Sequence, residues 1–257
     1  MKYVLLLLFS MLTAGFSCAG PVVNVDSLAR NQRIVLDVSH HQGLIDFEKI
    51  AQSVRWIYVK ASEGCSHEDE RFLYNVQSAQ AAGIKVGAYH FFSERSGAIA
   101  QAQHFLRIIA QVELELTPVL DIETNDLLSG DQLRDSVKVF LNCVEKALGC
   151  KPMIYSGEKF FTEKLQQAFG DSYPLWIAKY SNGGKKAPDV GADIVLWQFS
   201  ESGSIDGVST AISVSTFMGN HRPRDIKLPS KTKSSKGDGK EPSKSGKKGK
   251  HKREKKH

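Results

Sequence analysis

The sequence predicts an α/β fold, an irregular TIM-like barrel of about eight strands and five helices with a basic C-terminal tail. Short apolar, β-branched runs alternate with amphipathic helical patterns, which is typical of βα units. A length of 257 residues with 41% hydrophobic residues suits one sizeable core. Long helical patterns are missing between the last three runs, so the barrel has lost helices there. The predicted strands are residues 34–38, 56–60, 84–90, 117–123, 153–155, 175–178, 194–199 and 211–217.

Each predicted helix lies between two of these strands and has apolar residues at helical spacing. The strongest pattern follows the fourth strand, where Ser129 and Gln132 have the spacing of a capping box and Gly149 can end the helix. Asp46 can likewise cap the first helix, and Gly83 can end the second. The five apolar stripes begin, in chain order, at Phe47, Phe72, Ile99, Leu133 and Phe161.

An open, doubly wound sheet is the competing architecture, because it uses the same alternation of strands and helices. Such sheets commonly bind nucleotides through a glycine-rich loop that follows a strand. No GxGxxG or GxxxxGK[ST] motif occurs in this sequence. The sequence therefore favours the barrel and gives no reason to expect nucleotide chemistry.

Three acidic residues lie at predicted strand ends, on the edge where such folds place their active sites. Asp37 closes the first strand, and Asp121 and Glu123 close the fourth. Residues i and i+2 of a strand share a face and lie about 6.6 Å apart, so the last two can present neighbouring carboxyls to one ligand. In a partly desolvated cleft, charge repulsion should keep one protonated while the other stays ionised. Glycosidic cleavage needs this division of roles.

Aromatic residues at or near the other strand ends strengthen this hypothesis, because aromatic rings suit the apolar faces of sugars. They are Tyr89, Phe91, Tyr155, Trp176, Tyr180 and Trp197. Several of them have an alternative role in the core. For Trp176, which lies between Leu175 and Ile177, core packing is a nearly equal interpretation.

Six short blocks occur in a fixed order: 37–43 (DVSHHQG), 58–64 (YVKASEG), 87–91 (GAYHF), 120–123 (LDIE), 175–180 (LWIAKY) and 197–198 (WQ). In this order they resemble glycoside hydrolase family 25, the Chalaropsis-type lysozymes, over about residues 34–219. Six blocks in register are far more specific than any one of them. The resemblance implies an irregular eight-stranded, five-helix barrel that cleaves the β-1,4 bond between N-acetylmuramic acid and N-acetylglucosamine in peptidoglycan.

By position, the resemblance makes Glu123 the general acid of the reaction. It makes Asp121 the carboxylate that orients or stabilises the substrate's acetamido group, with Asp37 as a supporting acid. A substrate-assisted route of this kind needs no covalent bond to the enzyme. The predicted substrate-binding residues are five of the aromatic candidates, Tyr89, Tyr155, Trp176, Tyr180 and Trp197, together with Gln198.

The last strand departs from the family pattern. The family usually has an Asp there and an Asn two residues later, whereas this chain has Ser213 and Ser215. Serine can hydrogen-bond but supplies no negative charge. The departure supports an alternative hypothesis, a peptidoglycan-binding protein with weakened or lost catalysis. The intact Asp121 and Glu123 favour the enzyme.

A less favoured alternative is a metal-dependent polysaccharide deacetylase, because His40, His41 and His90 follow strands near Asp37 and Asp121. Adjacent histidines point in different directions on an extended chain, and HxH and HExxH spacings are absent from the sequence. We therefore expect hydrogen-bonded histidines that support the carboxylates, with no metal and no cofactor.

The N-terminal segment predicts export. Lys2 precedes an apolar run, and small residues surround Cys18, as in a secretory signal peptide over residues 1–19. Cleavage after Ala19 would release a soluble protein, whereas cleavage before Cys18 would leave a lipid-attached cysteine at the envelope. A connector over residues 20–33 then leads into the catalytic barrel, residues 34–220.

Three further cysteines remain, Cys65, Cys143 and Cys150, and an odd number excludes a fully paired disulfide framework. Cys143 and Cys150 could close one small loop in an oxidising compartment. Free thiols are at least as good an interpretation.

Residues 221–257 are predicted to form a disordered, Lys-rich tail. They carry 15 Lys and Arg against 4 Asp and Glu, a net charge of +11, whereas the preceding 220 residues carry −5. The tail has too few apolar residues to fold alone. It could bind anionic envelope polymers or merely keep the protein soluble, and without interleaved aromatics it is not expected to bind nucleic acid specifically. The expected partner of this monomer is peptidoglycan, with a membrane involved only if Cys18 is lipidated.

Overall fold

The computed structural model describes residues 22–28, 33–124, 126–180 and 186–229. The predicted signal peptide and the tail from residue 230 onward lie outside the described residues. The described chain contains eight long strands. They are β1 (Ile34–Val38), β2 (Trp56–Glu63), β3 (Lys85–Phe91), β4 (Val119–Asp121), β5 (Met153–Gly157), β6 (Leu175–Ala178), β7 (Ile194–Ser204) and β8 (Ile212–Phe217).

These strands close into a barrel, because β7 pairs with both β6 and β8, and β8 pairs with β1. Closure confirms the predicted fold class and excludes the open sheet. Strands β1 to β7 follow one another in parallel, but β8 runs antiparallel to both of its neighbours. The expectation of parallel units is therefore wrong for the last strand. Residues 205–211 are the whole connection from β7 to β8, and a parallel crossover needs a dozen residues or more.

Helices cover the outside of the barrel. They are α1 (Phe47–Ser53), α2 (Phe72–Ala81), α3 (Ala98–Ile109), α4 (Gly130–Leu148) and α5, which combines Glu158–Phe160, a π-helical turn Phe161–Leu165 and Gln166–Phe169. A one-turn helix, Val25–Leu28, precedes β1. The Asp46 side chain caps α1, and Ser129 and Gln132 form the predicted capping box of α4. The described residues between β6 and β8 contain no helix, as expected. Within the described ranges, the chain has no helix with the length and apolar character needed to cross a membrane.

Alternate residues of each strand point to opposite sides of the barrel wall. Leu36 and Ile57 belong to the outer layer, which packs against the helices. Val35, Tyr58 and Val119 fill the barrel interior. Two residues after Val35 comes Asp37, and two residues after Val119 comes Asp121. The strand period therefore turns both carboxyls inward, above the apolar floor.

Gly87 makes room for the ring of Tyr58 in this floor. A Cβ atom at this position would lie 2.3 Å from Cε1 of Tyr58 and 2.9 Å from Cβ of Leu116. Any side chain here would clash with the Tyr58 ring, which lies 5.1 Å from the Trp176 ring between centroids. The glycine thus allows Tyr58 to support Trp176 from below.

The segments that precede and follow the barrel strands both pack against the barrel. Upstream, the two-residue strand Val23–Asn24 pairs with the end of β7. Downstream, Pro223–Ile226 forms a 3-10 turn, and Ile226 is buried in the barrel interior at the end opposite to the strand carboxyl ends. Leu116 and Lys227 form a β-bridge there. The first residues of the compositional tail therefore pack against the barrel.

The three described cysteines are free thiols. Cys143 lies inside α4 and Cys150 just beyond its end. Seven residues of helix span about 10 Å, which exceeds the reach of a disulfide. The geometry of α4 thus favours free thiols over the small loop.

Candidate active site

A cleft of about 270 Å³ opens where the carboxyl ends of the strands meet. The structure brings all three predicted acids into this cleft. It also brings in all but one of the predicted sugar-binding residues. The predicted residues that line the cleft are Asp37, Asp121, Glu123, Tyr89, Tyr155, Trp176, Tyr180 and Gln198.

Trp197 is the predicted residue that does not line the cleft. Its indole Nε1 donates to the carbonyl of Lys179 at 3.0 Å, and its ring packs against Phe199. Gln198 faces the cleft, and its neighbour Trp197 takes the other side of the strand. A contact between Trp197 and substrate stays a prediction, because the structure does not place the ring in the cleft.

A hydrogen-bonded chain joins two of the acids. Nε2 of Gln198 donates to Oδ2 of Asp37 at 2.9 Å. Oε1 of the same Gln198 accepts from the hydroxyl of Tyr155 at 2.8 Å and from that of Tyr180. Tyr155 also lies beside Glu123, and its hydroxyl can donate to that carboxylate in place of Gln198. Asp37 can therefore influence Glu123 through two uncharged side chains.

Asp121 is the most enclosed of the three acids, with 8% of its surface exposed. Its Oδ1 atom is fully buried and has no hydrogen-bond partner among the described residues. Leaving a buried acceptor unsatisfied costs about 1–3 kcal/mol, so such atoms are rare in proteins. Asp121 therefore presents an acceptor that a donor on a bound ligand can satisfy.

Burial dominates the acidity of the cleft. It raises the pKa of Asp121 well above its usual value, and the charges of Glu123 and Asp37 raise it further. Burial also raises the pKa of Glu123, where a hydrogen bond from Tyr155 opposes the effect and the charge of Glu201 adds to it. Glu123 is exposed at the rim, so it can reach a substrate that crosses the mouth.

Asp37 also holds its proton more firmly than an ordinary aspartate. Burial raises its pKa to about 7, against the lowering effect of hydrogen bonds from Gln198 and Ser213 and with a further rise from the charge of Glu123. All three acids of the cleft therefore have raised pKa values, which favours acid catalysis.

Lys60 is a cleft residue that the sequence interpretation did not select. Its ammonium group lies 2.8 Å from Oε2 of Glu63 and 5.2 Å from the centre of the Phe91 ring. It lowers the pKa values of Asp121 and Glu123, although burial outweighs it for both. Lys60 lies two residues after the inward-facing Tyr58, so strand periodicity alone could have identified it.

His40 and His90 make hydrogen bonds, but to groups other than the three acids of the cleft. Nδ1 of His40 lies 2.7 Å from Oδ2 of the buried Asp69. His90 is buried between Ser62 and Gln101, at 2.8 and 3.2 Å, and burial lowers its pKa to about 4. In the described part of the chain, His, Cys, Asp and Glu side chains form no group of three that could hold a metal ion. This donor arrangement does not fit the deacetylase alternative.

The two serines of the last strand have different environments. Ser213 pairs with Asp37 across the strands and hydrogen-bonds to its carboxyl. Ser215 is fully buried and accepts a hydrogen bond from Nε1 of Trp176 at 3.0 Å. Trp176 is itself 2% exposed and forms part of the cleft floor, so both of its predicted roles apply. Ser215 thus fixes the floor, whereas Ser213 leaves the Asp37 side of the cleft without a further charge.

A larger cavity of about 790 Å³ lies at the opposite end of the barrel, where β7 begins and β8 ends. Its His221 lies 2.9 Å from Asp193 and 3.3 Å from Asp225, so these charged groups satisfy one another. The acids with raised pKa values lie in the smaller cleft, which is the candidate active site.

Comparison with known proteins supports the resemblance found in the sequence. Residues 36–208 match the family model described as glycosyl hydrolases family 25. The chain is 34% identical to the protein YegX of Escherichia coli K12 over 190 residues, 72% of this chain and 69% of YegX. It is 30% identical to the autolytic lysozyme of Clostridium acetobutylicum, over 71% of this chain and 55% of that protein. The crystal structure of a lysozyme from Streptomyces coelicolor matches with a TM-score of 0.64 and 28% identity, over 73% of this chain and 92% of that one.

Proposed function

This chain belongs to glycosyl hydrolases family 25, and from that membership we propose that Glu123 and Asp121 cleave the β-1,4 bond between N-acetylmuramic acid and N-acetylglucosamine. That the protein is a glycoside hydrolase of the lysozyme type follows from the family and from its lysozyme relatives. The bond that is cut and the roles of the two carboxyls are the proposal.

The observation that carries the proposal is the unpaired acceptor of Asp121 beside Glu123. A sugar that binds in the cleft with its acetamido group toward Asp121 would donate its N–H to Oδ1. This hydrogen bond removes the cost of the buried acceptor, and it directs the acetamido oxygen toward the anomeric carbon. Binding and orientation of the reacting group are thereby coupled.

Glu123 then supplies the proton. Its carboxyl donates to the glycosidic oxygen while the bond from that oxygen to the anomeric carbon breaks, and the acetamido oxygen forms a bond to the same carbon. Asp121 stabilises the positive charge that develops on the acetamido-derived ring. Water then attacks the anomeric carbon, returns a proton to Glu123 and restores the acetamido group. Tyr155 keeps Glu123 in place through its hydrogen bond.

The test is the identity of the new reducing sugar. Purified peptidoglycan is digested with the wild-type protein, and the released muropeptides are analysed by mass spectrometry after borohydride reduction. We expect reduced N-acetylmuramic acid at the new ends. Reduced N-acetylglucosamine, or loss of acetyl groups without chain cleavage, would contradict the assignment.

A binding protein with weakened turnover is the second candidate, and Ser213 is the observation that favours it. The hydrogen bond from Ser213 to Asp37 carries no negative charge, so this side of the cleft stabilises a cation less than an aspartate would. The same digestion separates the candidates. A binding protein would sediment with peptidoglycan and release no reducing ends.

We further propose that the protein acts outside the cytoplasm and that its tail retains it on anionic envelope polymers. The charge of residues 221–257, net +11, supports the second proposal. The predicted signal peptide supports export, and the mass of the mature N terminus distinguishes cleavage after Ala19 from lipid attachment at Cys18.

The tail proposal predicts the behaviour of a truncated protein. Residues 230–257 are removed, so that Ile226 and Leu228 keep their contacts with the barrel. Cleavage of soluble peptidoglycan fragments should be unchanged, because the cleft lies at the other end of the barrel. Retention on whole cell walls should fall at low salt, and the full-length protein should lose the same retention as salt is raised. Equal retention of both proteins at low salt would refute a binding role.

A further inference from the structure

A fourth carboxyl, that of Glu201, enters the cleft from β7. The sequence interpretation did not select it, because strand alternation from Gln198 places Ser200 and Ser202 on the cleft side and Glu201 on the other. The structure nevertheless has both Gln198 and Glu201 lining the cleft.

An irregularity in β7 explains this placement. Ser215 of β8 pairs with Gln198, Val214 with Ser200, and Ile212 with Gly203. Over three steps of β8, β7 therefore advances by five residues, so it contains two bulged residues. A bulge turns the side chains that follow it, and bulges beside active sites commonly re-aim a functional group. The bulge between Gln198 and Ser200 precedes Glu201 and brings to the rim a carboxyl that a regular strand would turn away.

Glu201 and Glu123 line the same cleft. Glu201 is exposed to solvent. Two charged groups act on the pKa of Glu123. Glu201 raises it, and Lys60 lowers it to a smaller extent. Glu201 also disfavours ionisation of the Tyr180 hydroxyl, whose pKa burial already raises.

The other groups around Glu123 raise its pKa less than Glu201 does, or they lower it. Ser213 on β8 is neutral, so β8 contributes no charge to this side. The titratable and charged groups that face the cleft from the remaining elements are Asp37 (β1), His41 (after β1), Lys60 (β2), Tyr89 (β3), Asp121 (β4), Tyr155 (β5) and Tyr180 (after β6). Asp37 and Asp121 are more enclosed than Glu201, so Glu201 is the exposed carboxyl that shares the cleft with Glu123.

We propose that Glu201 is a positioning residue for the lysozyme reaction, whose charge keeps the proton on Glu123 until the substrate takes it. The inference rests on the proposed role of Glu123 as general acid. A general acid works while it is protonated, so activity is present below its pKa and is lost as the pH rises through that value. Removing the charge of Glu201 lowers that value, and the loss should then begin at lower pH.

The experiment is the pH profile of kcat/KM on peptidoglycan for wild type and Glu201→Gln. We expect the alkaline limb of the profile to move down by about one pH unit, with an unchanged acid plateau. Above the shifted limb, the variant should be about tenfold slower than wild type. Glu201→Asp should restore the wild-type limb, and Glu201→Lys should move it further down. Glu48→Gln removes an exposed charge from α1 and should leave the profile unchanged.

A direct titration separates this inference from the proposed function. The carboxyl carbons of glutamate are labelled with ¹³C, and the Glu123 signal is assigned as the one missing from Glu123→Gln. Its midpoint should fall in Glu201→Gln even in an inactive preparation. An unmoved midpoint and superimposable pH profiles would overturn the role of Glu201 while leaving the lysozyme assignment intact. A loss of activity that is equal at every pH would also overturn it, since that result indicates a substrate contact. Absence of wild-type cleavage would instead overturn the proposed function.

Discussion

Replacing Glu123 with glutamine should lower kcat on peptidoglycan by about 10²–10⁴-fold, the usual contribution of a positioned general acid. Glutamine keeps the size and the hydrogen bond to Tyr155 but has no proton of suitable acidity to give to the leaving oxygen. Because the residue is exposed at the rim, the fold should be unaffected. The measurement is the release of reducing ends at saturating substrate. Glu48→Gln, an exposed change on α1, is the matched control and should retain full activity.

The role of Glu123 also predicts that the Glu123→Gln variant keeps more activity on substrates whose leaving group needs no proton. A glycoside with a phenolate leaving group needs no proton to depart. The Glu123→Gln variant should therefore be much less impaired on an aryl glycoside than on peptidoglycan. Equal impairment on both would assign Glu123 a different role, and wild-type activity on peptidoglycan would remove it from the mechanism.

Asp121→Asn should lower kcat by about 10²–10³-fold, in the range measured for the loss of one group that stabilises a transition state. Asparagine preserves the size and shape of the buried aspartate, so the protein should fold and bind peptidoglycan. It cannot supply the negative charge that stabilises the positive ring. Binding is measured by sedimentation with cell walls and turnover by reducing ends, so the two effects are separated.

The outcome for Asp121→Asn separates an electrostatic role of Asp121 from a role in recognition. A variant with normal kcat would show that the neutral carboxyl suffices, and it would contradict an electrostatic role. A variant that no longer binds cell walls would place Asp121 in recognition instead of catalysis.

Local pattern identified most of the candidate site. Asp37 and Asp121 follow inward-facing valines by two residues, and this period-two rule holds wherever a strand is regular. The same rule could have found Lys60. The six blocks added the roles of the acids, since a family resemblance links residues that are far apart in sequence. Even so, the pattern could not separate the two interpretations of Trp176, because burial in the floor and exposure to the cleft occur together.

Register and closure lay beyond local pattern. The direction of β8 depends on the seven residues that join it to β7, and alternation of βα units predicted the opposite direction. The inward turn of Glu201 depends on a bulge that is visible when β7 is paired with β8. The unpaired oxygen of Asp121 likewise becomes evident when the surrounding donors are placed in space.

By itself the sequence determined the barrel, its strands and the identity of the paired acids, because hydrophobic period and residue chemistry are local properties of a chain. The tertiary structure alone decided which oxygen has no partner, how β8 runs and why Glu201 shares a cleft with Glu123. These features arise from pairing between segments that are distant in sequence, where one extra residue turns a side chain to the opposite face.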